Sequence, residues 1–133
     1  RAARLAEDLA NGAAPIQAIP LADATEHLDA EIAVVVNATA AGLSGDRLPL
    51  DPRRSAPTCL FVDLAYGRRT PFVAAARRAR RATMDGGLML LHQGALAFTM
   101  WTGRRAPLGA MAAALRTAGL ALPEPLTRGT PAR

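Results

Sequence analysis

Ile32-Ala33-Val34-Val35-Val36-Asn37 is an apolar run rich in β-branched residues and closed by an amide. Such side chains lose rotamer freedom in a helix and pack well on a pleated surface, so the run predicts a strand over 32–36. Because it is continuously apolar rather than alternating, it suits a parallel strand covered on both faces. Leu60–Leu64 repeats the pattern, Ala82–Met84 offers a shorter version, and Ile16–Ile19 reads as one more short strand. Helical stretches separate them. Arg1 to Ala10 carries Leu5, Ala6 and Leu9 on one side, with Asn11-Gly12 as its stop, and Ala22–Leu28 is a brief helix or turn. Gly42 to Pro57, with glycine and three prolines, is a loop with room for one helical turn. Thr70-Pro71 opens a helix over Phe72–Arg81 through a capping hydroxyl and a proline at the first helical position. A helix from Gly86 to Trp101 ends at Gly103, and one from Leu108 to Ala118 ends at Gly119. Strand alternating with helix predicts a doubly wound α/β fold, a parallel sheet with helices on both faces.

Ligands in such sheets collect outside the carboxyl ends of the strands. Those ends deliver Asn37, then the stretch from Asp63 to Tyr66, then Asp85-Gly86. The longest informative segment follows at once: Asp85-Gly86-Gly87-Leu88-Met89-Leu90-Leu91-His92-Gln93-Gly94-Ala95. In a helix starting after Asp85, positions 86, 90, 93, 97 and 100 share a face that reads Gly86, Leu90, Gln93, Ala97, Met100. Glycine at its start gives a ligand close access to the helix N-terminus, and Gln93 lies about 10 Å further along. Gln93 is then either an amide for a ligand hydroxyl or a core-edge amide bonded to backbone. Asn37-Ala38-Thr39 is either an Asx turn, a cleft lining, or both. Tyr66, the one tyrosine, followed by Gly67 and arginines, is expected to point into a wet cleft rather than to lid the core.

A chain of 133 residues with 50% hydrophobic content is enough for one domain with a real core. Residues 1–119 are expected to form that domain and 120–133 a frayed tail. The apolar runs are too short for a bilayer crossing and no signal peptide opens the chain, so a cytoplasmic protein is expected, with no membrane partner. Cys59 alone makes no disulfide, and Cys59, His27 and His92 are too scattered for a metal site. The net charge of +5 rests largely on Arg77, Arg78, Arg80 and Arg81, read as a solvated helix face. Without interleaved aromatics or a recognition motif, they do not indicate a nucleic-acid partner. The chain contains no lysine.

Taken in order and at these separations, Val36-Asn37-Ala38-Thr39-Ala40-Ala41-Gly42, Phe61-Val62-Asp63-Leu64-Ala65-Tyr66, Thr70-Pro71-Phe72, the 85–95 segment and Ala97-Phe98-Thr99-Met100-Trp101-Thr102-Gly103 resemble the shikimate dehydrogenase family. The likeness runs from Arg1 to about Leu115. It implies the later part of a Rossmann-like NADP-binding domain lacking its first βαβ portion, since no Gly-x-Gly-x-x-Gly turn is present. By the resemblance, the cofactor is NADP. Arg1 falls on the last arginine of the motif that grips its 2'-phosphate, Asn37 and Thr39 line the turn beneath it, and Leu64 (through backbone) and Gly86 approach the nicotinamide. Tyr66 and Gln93 face the substrate, shikimate or 3-dehydroshikimate. No catalytic residue falls in this chain, because the family's lysine and aspartate come from the other domain. The family reads Asp-Gly-Leu-Gly-Met-Leu where this chain has Asp85-Gly86-Gly87-Leu88-Met89-Leu90, which puts packing at the second and third positions in question. The resemblance also admits a homodimer of the parent enzyme. The alternatives are a quinate/shikimate dehydrogenase using NAD(P), or a non-catalytic α/β module that binds a nucleotide or a partner.

Overall fold

The computed structural model describes residues 1–10, 15–44 and 46–122. Three strands, β1 (Val34–Asn37), β2 (Leu60–Asp63) and β3 (Ala82–Met84), form one parallel sheet in the order β1-β2-β3. Val34 pairs with Leu60 and Leu60 with Ala82, so all three strands point their carboxyl ends the same way. The helices are α1 (Ala2–Leu9), α2 (Ala41–Ser44), α3 (Pro71–Arg78), α4 (Gly87–Thr102) and α5 (Leu108–Thr117). Two 3-10 turns, Leu21–Asp23 and Pro52–Arg54, occupy the stretches read as a brief helix and a loop.

The alternation of side chains along each strand divides the sheet into two unlike faces. Cys59, Phe61, Phe72, Val73 and Ala76 make a core between β2 and α3, with Ile32, Val35, Leu48 and Leu50 packed against it. Phe61 and Phe72 meet ring to ring at 5.6 Å. On the opposite face Val34, Val36 and Met84 remain 50%, 53% and 39% exposed. The expected helix cover is thus found on the α3 face, while among the described residues the other face stays open. A continuous apolar run signals a strand made for two covered faces, and here only one cover is supplied.

Ile16–Ile19 forms no strand. The outer edge of β1 has no neighbour in the described sheet, and an extended segment without a ladder partner does not become a strand. α1 likewise leaves Leu5 and Leu9 at 58% and 51% exposure. Of the tail expected over 120–133, residues from Pro123 onward lie outside the described residues, whereas Leu120 and Leu122 are not frayed: both are half-buried and reach over Gly87.

The arginine run is less uniform than a solvated face. Arg81 is half-buried and donates to the Ser55 carbonyl at 2.6 Å and the Ala79 carbonyl at 2.7 Å, tying the end of α3 to the 53–55 turn. Arg80 has φ 56°, the left-handed conformation that closes α3 as the N–H groups of Arg80 and Arg81 bond the carbonyls of Arg77 and Ala76. A residue with a Cβ is strained there, so Arg80→Gly is expected to stabilise the chain by about 1 kcal/mol in a urea unfolding curve. An unchanged or lower midpoint would contradict this account of the cap.

Candidate functional site

At the carboxyl edge of the sheet three polar side chains lie inside the protein: Asn37, Asp63 and Thr70, at 3%, 0% and 1% exposure. A carboxylate removed from water needs hydrogen bonds to hold its charge, and Asp63 has three. Asn37 Nδ2 and the Ala65 N–H donate to its Oδ1 at 3.2 and 3.0 Å, and the Thr70 hydroxyl donates to its Oδ2. Thr70 Oγ1 in turn accepts from the Val73 N–H and caps α3, as its sequence position predicts. On the other side Asn37 Oδ1 accepts from the Thr39 N–H at 3.0 Å and the Thr39 hydroxyl at 2.7 Å, so the Asx turn is real.

Leu64 and Gly86 extend the row. The Leu64 N–H donates to the Asn37 carbonyl at 3.0 Å, and the Gly86 N–H to the Ala65 carbonyl at 3.1 Å. A Cβ on Gly86 would sit 2.1 Å from the Leu64 carbonyl oxygen and 2.7 Å from its carbon. With φ −73° and ψ 1°, the residue needs no special dihedral. Glycine is required because the Leu64 backbone already fills the space that a side chain would take, a contact within the chain itself. Asp85 starts α4 by accepting from the Gly87 N–H at 3.0 Å. Gly87 is buried, with a Cβ position 3.0 Å from Leu122 Cδ2. The exchanged Gly87-Leu88 pair is thus accommodated by Leu122 filling the space above Gly87.

The helical stripe predicted for α4 is displaced. Its buried residues are Gly87, Leu91 and Ala95, whereas Met100 is 82% exposed and Gln93 is exposed, its side-chain amide making no hydrogen bond among the described residues. Gln93 is therefore not a core-edge amide. Apolar residues occur all round this helix, so sequence period alone could not choose the inward face. Packing against α5 does so, with Met111 Cε close to Gly94. Tyr66 is 47% exposed beyond the end of β2, so it does not lid the core. Arg1 is exposed at the start of α1. Asn37, Thr39, Leu64 and Gly86 are thus joined by direct contacts, and Tyr66, Gln93 and Arg1 are exposed groups outside that row.

Asp63 and Thr70 were legible as a strand end and a helix cap but not as buried partners; the placement of an acid at the strand end and a capping hydroxyl at the start of the next helix was the available signal. A cavity of about 650 Å³ bordered by Arg47, Leu50, Arg53, Phe72 and Arg78 shares no residue with the row. At its rim Asp51 and Arg53 pair at 3.0 Å, and that hydrogen bond holds the Asp51 carboxyl below its ordinary range. Among the described residues there is no cluster able to hold a metal ion, and no helix is long and apolar enough to cross a membrane.

Sheet order, strand direction and the row of strand-end residues define a partial Rossmann-like α/β unit. Residues 88–116 match the family model described as the Shikimate 5'-dehydrogenase C-terminal domain. The NADP(+) shikimate dehydrogenase of Anaeromyxobacter dehalogenans (strain 2CP-1) is 44% identical over 117 residues, 86% of this chain and 41% of that protein. The solved shikimate 5-dehydrogenase of Thermus thermophilus, in complex with NADP(H) and shikimate, superposes with a TM-score of 0.57 at 33% identity, over 77% of this chain and 38% of that one. The 5-ketofructose reductase of a Gluconobacter strain superposes with a TM-score of 0.55 at 28% identity, over 65% of this chain and 32% of that one. Along most of its length the chain is similar to shikimate dehydrogenases, and it spans about two fifths of the length of the curated relatives it matches.

Proposed function

We propose that this chain is the C-terminal, cofactor-facing part of an NADP-dependent shikimate dehydrogenase, which reversibly reduces 3-dehydroshikimate to shikimate in aromatic amino acid (chorismate) biosynthesis. The observation that carries the reading is the contiguous strand-end row Asn37, Leu64, Gly86 in a chain 44% identical to an NADP(+) shikimate dehydrogenase. The row fits one end of a dinucleotide. It offers backbone groups at Leu64 and Gly86 and the held hydroxyl of Thr39 along the edge where such sheets take ligands. The pyrophosphate end is not fitted, since this chain carries no glycine-rich turn.

NADP, when bound, supplies the hydride chemistry. The roles of this chain's residues are to bind and orient. Asn37 and Thr39 line the cofactor side, the backbone at Leu64 and Gly86 shapes the nicotinamide end, and Arg1 faces the 2'-phosphate. Tyr66 and Gln93, both exposed, offer a hydroxyl and an amide to the hydroxyls of shikimate. We infer a cytoplasmic setting, since Cys59 is buried and unbridged. The parent enzyme is read as acting on small molecules, alone or as a homodimer, with no nucleic acid or membrane partner.

A full-length enzyme carrying this segment is the test. Gln93→Ala and Tyr66→Phe should each lower kcat/KM for shikimate by about 1 to 3 kcal/mol and leave NADPH affinity nearly constant. Arg1→Ala should weaken NADPH about 10-fold and leave NADH almost unaffected, because only NADPH carries the phosphate that an arginine fork recognises. Wild-type enzyme without shikimate turnover would refute the assignment. The second reading is a dehydrogenase of the same class for another hydroxylated substrate such as quinate, using NAD or NADP. It is favoured by the likeness to a 5-ketofructose reductase, and a higher kcat/KM for quinate or 5-ketofructose than for shikimate would select it.

A further inference from the structure

Asp63 is fully buried, yet its carboxylate ties the end of β1, the backbone after β2 and the start of α3 together. Its Oδ1 accepts from both Asn37 Nδ2 and the Ala65 N–H, and its Oδ2 accepts from Thr70. A carboxylate only accepts, so the group that Asn37 turns toward it must be the amide NH2. Asn37 Oδ1 is then obliged to face Thr39, where it takes both the N–H and the hydroxyl. The flipped amide would set two oxygens against each other on one side and two donors on the other, inside a site where Asn37 is 3% exposed. The second bond to Oδ1 holds the Ala65 N–H, which belongs to the same planar peptide unit as the Leu64 carbonyl that lies against Gly86.

We infer that Asp63 is a positioning residue of the cofactor edge: it selects the orientation of the Asn37 amide, which holds Thr39, and it anchors the Leu64–Ala65 backbone against Gly86. The inference rests on the proposed NADP-binding reading of that edge. It separates the carboxylate's two oxygens by role. Oδ1 serves the row, whereas Oδ2 serves the capping of α3 through Thr70.

Three substitutions in the full-length enzyme exploit that division. Asp63→Asn has one orientation that keeps an oxygen toward Asn37 and Ala65 and turns its NH2 to the Thr70 hydroxyl, which can accept; Asp63→Ala keeps nothing. KM for NADPH should rise about 10-fold or more in Asp63→Ala and stay within about 3-fold of wild type in Asp63→Asn, a rescue by the residue that preserves the acceptor. Thr70→Val, which removes the α3 cap alone, should lower Tm while KM stays within about 2-fold. Hydrogen exchange at the Thr39 amide, followed by NMR without cofactor, should accelerate about 10-fold in Asp63→Ala only. If KM simply follows Tm through all three variants, or Thr39 exchange is unchanged in Asp63→Ala, the inference is overturned. Should the exchange pattern hold in an enzyme that binds no NADPH, the positioning role stands and the functional reading falls.

Discussion

Replacing Gly86 by alanine should destabilise the chain by about 3 kcal/mol or more, the upper end of what a single added methyl group costs in a packed site. The reason is the 2.1 Å separation between the new Cβ and the Leu64 carbonyl oxygen, a collision with backbone that no side-chain rotamer can relieve. Either β2 or the start of α4 must move, and both carry the row. Gly109 provides the control, because a Cβ there meets nothing within 4 Å and the residue lies in α5. Gly109→Ala should be neutral or stabilise by up to about 1 kcal/mol through helix propensity and unfolded-state entropy. Urea midpoints of the two variants check the pair. Equal midpoints would show that Gly86 is not at a close backbone contact.

The second large effect is on turnover. This chain by itself should give no measurable oxidation of shikimate with NADP, even at concentrations where the same segment within a full-length enzyme turns over freely. Hydride transfer coupled to proton transfer needs a placed acid or base and a cofactor held at both ends, and together these supply many orders of magnitude in rate. No lysine is present. The carboxylate at the edge, Asp63, is fully buried and committed to Asn37, Ala65 and Thr70, so it is not offered to a substrate. A stopped assay at high enzyme concentration reads the result. Turnover surviving repurification of this chain would mean that a base and a phosphate site are provided by it in some way the row does not display.

Much of the edge was legible from the residues alone, for local reasons. Runs of β-branched residues report strands through their own rotamer preferences, and Thr70-Pro71 reports a helix start through its own hydroxyl and ring. Asn37, Leu64 and Gly86 could be brought to one edge because parallel strands all end on the same side. α4 was different. With leucine, methionine and alanine on all sides, its inward face depends on which neighbour it meets, and α5 and Leu122 choose Gly87, Leu91 and Ala95. That choice leaves Gln93 exposed, and of the two readings its position allowed, the core-edge amide is excluded.

The sequence by itself determined that β1 to β3 are parallel strands, the Thr70 start of α3, the Gly103 end of α4, and which residues stand at the carboxyl ends, since each follows from a residue's own sterics and hydrogen-bonding groups or from chain connectivity. Besides the inward face of α4, tertiary structure decided three things that depend on distant neighbours. Ile16–Ile19 lacks a ladder partner and is no strand, and one face of the sheet is covered while Val34, Val36 and Met84 are left open. Asp63, ordinary as a letter at a strand end, becomes the acceptor for Asn37, Ala65 and Thr70 because folding brings groups from two strands' ends and a helix cap within hydrogen-bond reach of a carboxylate excluded from water.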